Sequence, residues 1–155
     1  MKSRSDIKIF IVGGGEIGRS LAGQLSRDGY ELTLIDRNLD VVKSLSDSFD
    51  IICFEGNGAS YTTLQELSAG KADIWIAVTE SDELNILSCM TAHMMGAKHT
   101  IARIRDVDYA RQNHFYKDKL GLSMIINPEL ATALEIFRLL RFPLATRVET
   151  CLLYT

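Results

Sequence analysis

A chain of 155 residues with 46% apolar content is long enough to bury one sizeable core, which predicts a single domain with at most a short extra element. A net charge of −3 provides no electrostatic basis for binding nucleic acid or an anionic membrane, and no apolar run approaches the length of a membrane span. Cys53, Cys89 and Cys151 have no CxxC spacing and His93, His99 and His114 no metal-ligand spacing, so the cysteines read as reduced, mostly buried thiols of a cytosolic protein and no metal site is expected.

Residues 1–6 are short and polar and are expected to form a disordered leader. The first element is the apolar run Ile7, Ile9, Phe10, Ile11, Val12, which leads straight into Gly13-x-Gly15-x-x-Gly18. An amphipathic helix follows, with Ile17, Leu21 and Leu25 on one face, and stops at Asp28-Gly29. Leu32–Ile35 is a second strand and ends in Asp36, eighteen residues after Gly18. Strand, glycine turn, helix, strand and acid in this order form the dinucleotide-binding pattern. Gly13 would make the tight turn, Gly15 would let backbone approach a pyrophosphate, and Gly18 would let the helix pack closely on its strand. Phosphates would meet free N–H groups at the positive end of the helix, and Asp36 would accept hydrogen bonds from a ribose diol. A 2′-phosphate about 4 Å from that carboxylate would be repelled by about 4 kcal/mol at an effective dielectric of about 20, which favours NAD-like or unphosphorylated adenosine ligands over NADP. Arg37 could offset this by meeting a 2′-phosphate, although a solvated loop arginine is the simpler reading.

Val42, Leu45 and Phe49 mark the next helix face, and Ile51–Phe54 reads as the third strand, followed by the loop Glu55-Gly-Asn-Gly58. Leu64 and Leu67 fit a short helix that ends at Ala69-Gly70. Ile74–Val78 is a fourth strand, apolar on both faces as a covered parallel sheet requires. Ser81 is a good N-cap for a helix running to Met95-Gly96, with Asp82 and Glu83 in its first turn. Thr100–Arg105 is a fifth strand, Tyr109–Leu120 a more polar helical stretch, and Ser123–Ile126 a sixth strand. This alternation predicts an α/β fold, a Rossmann-like doubly wound parallel six-stranded sheet of order 3-2-1-4-5-6, over residues 7–126. The ligand crevice then lies between strands 1 and 4, at the carboxyl ends of the strands.

Arg103 and Arg105 sit at one such end. Burying charge there is costly without a partner, and two partners fit: a bound phosphate, or a salt bridge to Asp106 or Asp108. Thr79-Glu80-Ser81 faces the same crevice, where hydroxyl and N–H groups could meet a ribose or phosphate, although N-capping alone would explain Ser81. Beyond the sheet, Asn127-Pro-Glu129 is a strong helix start, with Leu130, Ala133, Leu134, Phe137 and Leu140 at helical spacing and Pro143 as the stop. The apolar face of this helix over 127–143 would pack on its own sheet or cross to a partner subunit. Residues 144–155 are too few for a domain and read as the start of a truncated C-terminal lobe or tail.

The stretches IVGGGEIGRSLAGQL, ELTLID, GNGAS, ADIWIAVTESDELNILSC, IARIRDVDY and INPELAT, with RFP after them, together resemble one family. It is the nucleotide-binding regulatory domain of potassium transport systems, the RCK or KTN (TrkA-N) domain, and within it the first half of TrkA-type subunits of the Trk potassium-uptake system. The resemblance spans about residues 7–148. It implies a cytosolic module, peripheral on the inner face of the membrane, that binds NAD+ or NADH, alternatively ATP or ADP. It also implies a membrane potassium transporter or channel as partner, a homodimer or higher ring through the Asn127–Arg141 helix, and no chemistry. By resemblance, Gly13, Gly14, Gly15, Glu16 and Ile17 would hold the pyrophosphate and Asp36 the adenosine ribose. Asn57 would lie near the adenine, Thr79 and Glu80 would line the strand-4 side, and Arg103 would meet a phosphate. One departure is Gly56-Asn57, where many relatives carry Gly-Asp; the loop keeps a hydrogen-bonding group and loses a charge. The final residues, Cys151–Thr155, also depart from the family pattern.

An NAD-dependent oxidoreductase, or its cofactor half, is the alternative in another class. It would need a proton donor beside the nicotinamide and a substrate pocket, and no Tyr-x-x-x-Lys pair or histidine sits at a crevice position. A scaffold with a permanently filled nucleotide site is a third reading. Fold alone does not separate the three.

Overall fold

A computed structural model describes residues 3–141. Six strands form one sheet: β1 (Lys8–Val12), β2 (Glu31–Asp36), β3 (Ile52–Glu55), β4 (Ile74–Ala77), β5 (His99–Arg103) and β6 (Met124–Ile126). All pairings are parallel and the order is β3-β2-β1-β4-β5-β6. The helices are α1 (Glu16–Arg27), α2 (Leu39–Ser48), α3 (Tyr61–Glu66), α4 (Asp82–Met95), α5 (Val107–Arg111), α6 (Asn113–Leu120) and α7 (Pro128–Arg141).

The alternating side chains of the central strands feed two cores. Ile9, Ile11, Leu32, Leu34, Ile76 and Val78 pack with α1 and α2 on one face. Phe10, Val12, Trp75, Ala77 and Ile104 pack with α3, α4 and α6 on the other. Trp75 is fully buried, stacks on Phe10 with ring centroids 5.1 Å apart, and donates its indole N–H to Ser88 at 3.0 Å. The two thiols among the described residues are free: Cys89 is buried, and burial raises its pKa to about 12, so it packs as an apolar group. Cys151 lies outside the described residues.

The structure corrects one expectation and adds detail at the two ends of the described residues. Within residues 3–6, Arg4–Asp6 forms a 3-10 turn, with Asp6 accepting the Ser3 N–H at 3.1 Å in a capping box. The single helix expected over Tyr109–Leu120 is two, broken at Gln112, whose ψ of 14° is not helical. The break lets Tyr109 reach Glu83 across a 3.2 Å hydrogen bond while Tyr116 is buried. Of the two placements open to α7, packing on its own sheet is not seen, since the helix buries none of its side chains. Its cap is as expected, with Asn127 Oδ1 accepting the Leu130 N–H at 2.9 Å. Pro143 and the tail over 144–155 lie outside the described residues.

Candidate functional site

The carboxyl ends of β1, β2 and β4 surround a cleft of about 400 Å³. It lies where the strand order reverses, between β1 and β4. Gly13 turns the chain out of β1 with φ of 103°, a conformation that L side chains rarely adopt. Gly18 has a different reason: a Cβ there would stand 1.8 Å from the Gly13 carbonyl oxygen, so only glycine lets α1 approach the turn. Gly15 faces open space, with no heavy atom within 4 Å of where a Cβ would be. It forms the N-cap of α1 and has no side chain to satisfy the free N–H groups of the first turn, which leaves them for an anion.

Asp36 links the turn to the end of β2. Its Oδ2 accepts the Gly14 N–H at 2.7 Å and its Oδ1 accepts the Asn38 N–H at 2.8 Å. The carboxylate therefore pre-forms the glycine turn and also lines the cleft. Arg37 lines the same cleft and donates to Asn57 Oδ1 at 3.0 Å. Asn57 Oδ1 also accepts the Ala59 N–H at 3.1 Å. The Asn57 side chain thus braces Arg37 and its own loop, and Gly56 and Gly58 are the residues of that loop that line the cleft.

A second lobe of about 410 Å³ adjoins the first and shares Gly15, Val78 and Glu80 with it. Glu16, Ile17, Arg103 and Glu129 line it. The sequence-predicted residues therefore divide between two lobes: Gly13, Gly15, Asp36, Arg37, Thr79 and Glu80 line the first, with Gly15 and Glu80 continuing into the second. Gly14 and Gly18 are buried behind the turn.

Arg103 is 5% exposed. The salt bridge to Asp106 or Asp108 considered from spacing does not form. Arg103 pairs instead with Glu80, at 3.1 Å, and with Glu129 of α7. Asp106 caps the start of α5 by accepting the Asp108 N–H at 2.7 Å, and Asp108 lies 3.7 Å from Arg111. Arg105 meets Glu80 at 3.1 Å and Asp82 at 3.6 Å. Arg103 Nε has no partner among the described residues, so one N–H of this buried guanidinium still lacks an acceptor.

A hydrogen bond from Arg103 and its positive charge hold the carboxyls of Glu80 and Glu129 below their ordinary pKa of 4.5. Depressed carboxyl pKa values contribute stability above pH 4.5 that is lost as pH falls through the lowered values. Both carboxylates are well exposed, so water screens the pairs and the effect on total stability is small. A carboxyl titration followed by NMR is expected to place Glu129 below 4.5 and to move it upward in Arg103→Gln. A Glu129 midpoint that this substitution does not move would remove the pair from solution.

Asn85, which sequence reasoning missed, organises this end of the sheet. It is fully buried. Its Oδ1 accepts from the Thr79 N–H at 2.9 Å and the Thr79 hydroxyl at 2.7 Å. Its Nδ2 donates to the carbonyls of Thr79 at 3.1 Å and Arg103 at 2.9 Å. One amide thus ties the loop after β4 to the end of β5. The available signal was an asparagine on the helix four residues after the Ser81 N-cap, a position at which a helix would turn it inward. Asp82 plays a similar part by accepting the N–H groups of Arg105 at 2.8 Å and Asp106 at 2.7 Å, where a dipole-compensating acid was expected.

Among the described residues no group of three His, Cys, Asp or Glu could hold a metal, and no helix is long and apolar enough to cross a membrane.

Residues 9–128 match the family model of the TrkA-N domain. A Trk system potassium uptake protein TrkA homolog of Archaeoglobus fulgidus is 32% identical over 144 residues, covering 93% of this chain and 33% of the relative. The chain thus spans about a third of the length of this relative and of the Trk system potassium uptake protein TrkA of Haemophilus influenzae. The GsuK channel bound to NAD superposes with a TM-score of 0.67 at 18% identity, covering 81% of this chain and 22% of that one. GsuK bound to ADP superposes with a TM-score of 0.72 at 24% identity, covering 91% and 35%. At these identities the likeness to the two structures is one of fold.

Proposed function

The chain belongs to the TrkA-N domain family, and from that membership we propose that it is a nucleotide-binding regulatory unit of a potassium transport system. Its ligand is NAD+ or NADH, with ADP or ATP as the alternatives. It acts at the cytoplasmic face of the membrane by altering how subunits assemble beneath a potassium transporter or channel. One observation carries this reading: the glycine turn after β1 is held by Asp36 beside a cleft that Arg37, Thr79 and Ser81 also line, which supports a nucleotide as its ligand. The curated relatives are named as potassium uptake proteins, and fold neighbours hold NAD or ADP. In the proposed pose Asp36 accepts the adenosine ribose and the α1 N-terminus takes the pyrophosphate. The phosphates also meet Arg103, and Thr79 and Glu80 flank them.

The output is assigned to α7. Leu130, Leu134, Ile136, Phe137, Leu139 and Leu140 are each at least half exposed, and the described residues leave this apolar surface uncovered. A second copy of the same helix suits it as a partner, and Glu129 at its first turn touches Arg103 in the cleft. A ligand can shift such an assembly only by its differential affinity for the two arrangements.

Titrating the purified chain with NAD+, NADH, ADP and ATP, while following affinity and particle mass together, tests this proposal. Binding accompanied by a change in mass is expected. Catalytic hydride transfer to a small substrate, or binding that alters neither assembly nor transport by the complete system, would overturn it.

A further inference from the structure

We infer that the second lobe of the cleft selects the nucleotide by charge, admitting a diphosphate or dinucleotide and rejecting a triphosphate. The inference rests on the proposed nucleotide site and concerns what lies beyond its second phosphate. Gly15, at the N-cap of α1, belongs to both lobes. A ligand with its ribose at Asp36 and its phosphates at the glycine turn therefore sends its next group past Gly15 into the second lobe. That lobe is lined by three carboxylates, Glu16, Glu80 and Glu129, against one guanidinium, Arg103. The guanidinium already faces Glu80 and Glu129, and its Nε–H, which has no acceptor among the described residues, is left as a donor for the second phosphate. Arg105, the neighbouring cation, is itself spent on Glu80 and Asp82.

A third phosphate would enter this surplus of negative charge with no free cation among the described residues that line the lobe. The distal nucleoside of a dinucleotide adds no negative charge there, and its oxidised nicotinamide ring is positive. A lobe of about 410 Å³ has room for it. Glu80 also borders the first lobe, so the repulsion begins where the phosphate chain leaves the glycine turn.

The test uses the full chain with EDTA present, and compares ADP, ATP and NAD+ by calorimetry at low and high salt. ATP is expected to bind about tenfold more weakly than ADP, a gap that narrows at high salt because the repulsion is screened. In Glu16→Gln the ATP-to-ADP ratio of dissociation constants is expected to fall about threefold, since one of three carboxylates is gone. ADP binding with ATP equal or tighter overturns the inference and leaves the proposed function standing. A gap that neither salt nor Glu16→Gln changes overturns it as well, because exclusion is then steric. Failure of every nucleotide to bind overturns the proposed function and this inference together.

Discussion

Asp36→Ala is expected to weaken binding of every adenosine nucleotide by about a hundredfold, the loss of hydrogen bonds to a charged acceptor. The loss has two origins. The carboxylate is the proposed acceptor of the ribose diol, and it also holds the Gly14 N–H at 2.7 Å and the Asn38 N–H at 2.8 Å. Removing it leaves two backbone donors without their partner at the junction of the glycine turn and α2. A destabilisation of about 1–2 kcal/mol should therefore accompany the loss of affinity. Asp36→Asn keeps one acceptor oxygen and should fall between the two proteins in both measurements. Calorimetric titration and urea denaturation on the same samples separate the effects. Unchanged affinity in Asp36→Ala would take the residue out of the site, whatever happened to stability.

The largest loss of stability is expected in Asn85→Ala, about 3 kcal/mol, read as a lowered urea midpoint with an unchanged slope. The Asn85 amide makes four hydrogen bonds within a fully buried position. Truncation leaves the Thr79 N–H and the carbonyls of Thr79 and Arg103 without this partner, and buried backbone groups are costly to leave unpaired. Arg103 itself donates to the Thr79 carbonyl at 3.3 Å, so that oxygen keeps one bond and the carbonyl of Arg103 fares worse. Nucleotide affinity should fall too, since Thr79 lines the first lobe and Arg103 the second. Asn85→Asp preserves the side-chain volume and places a carboxylate oxygen against two carbonyl oxygens, so it is expected to be no better. A stability loss under about 1 kcal/mol in Asn85→Ala would show that the network relaxes around the gap.

Both variants act at the junction of the glycine turn and the β4–β5 loops, and they differ in how readable they were. Asp36 was legible because its partners in the motif are close in sequence and the acid closes a strand. Asn85 was not, because it serves loops that only the packed sheet brings together. Arg103 falls between. Its need for a partner follows from its place at the end of a buried strand. Glu80 and Glu129 were not legible as those partners, because they lie on the β4–α4 loop and on α7.

By itself the sequence determined the glycine turn and the acid after β2, since apolar periodicity and glycine geometry are local and survive in any packing, and the strand order followed from the connection rules for alternating strands and helices. Its family stretches also pointed to the domain. Tertiary structure alone decided the second lobe, because three glutamates from three separate segments meet there around one arginine. It also decided that α7 leaves its apolar residues uncovered among the described residues. The physical reason is the same in both cases. A charge or an apolar face has meaning only against what it contacts, and those contacts are between segments distant in the chain.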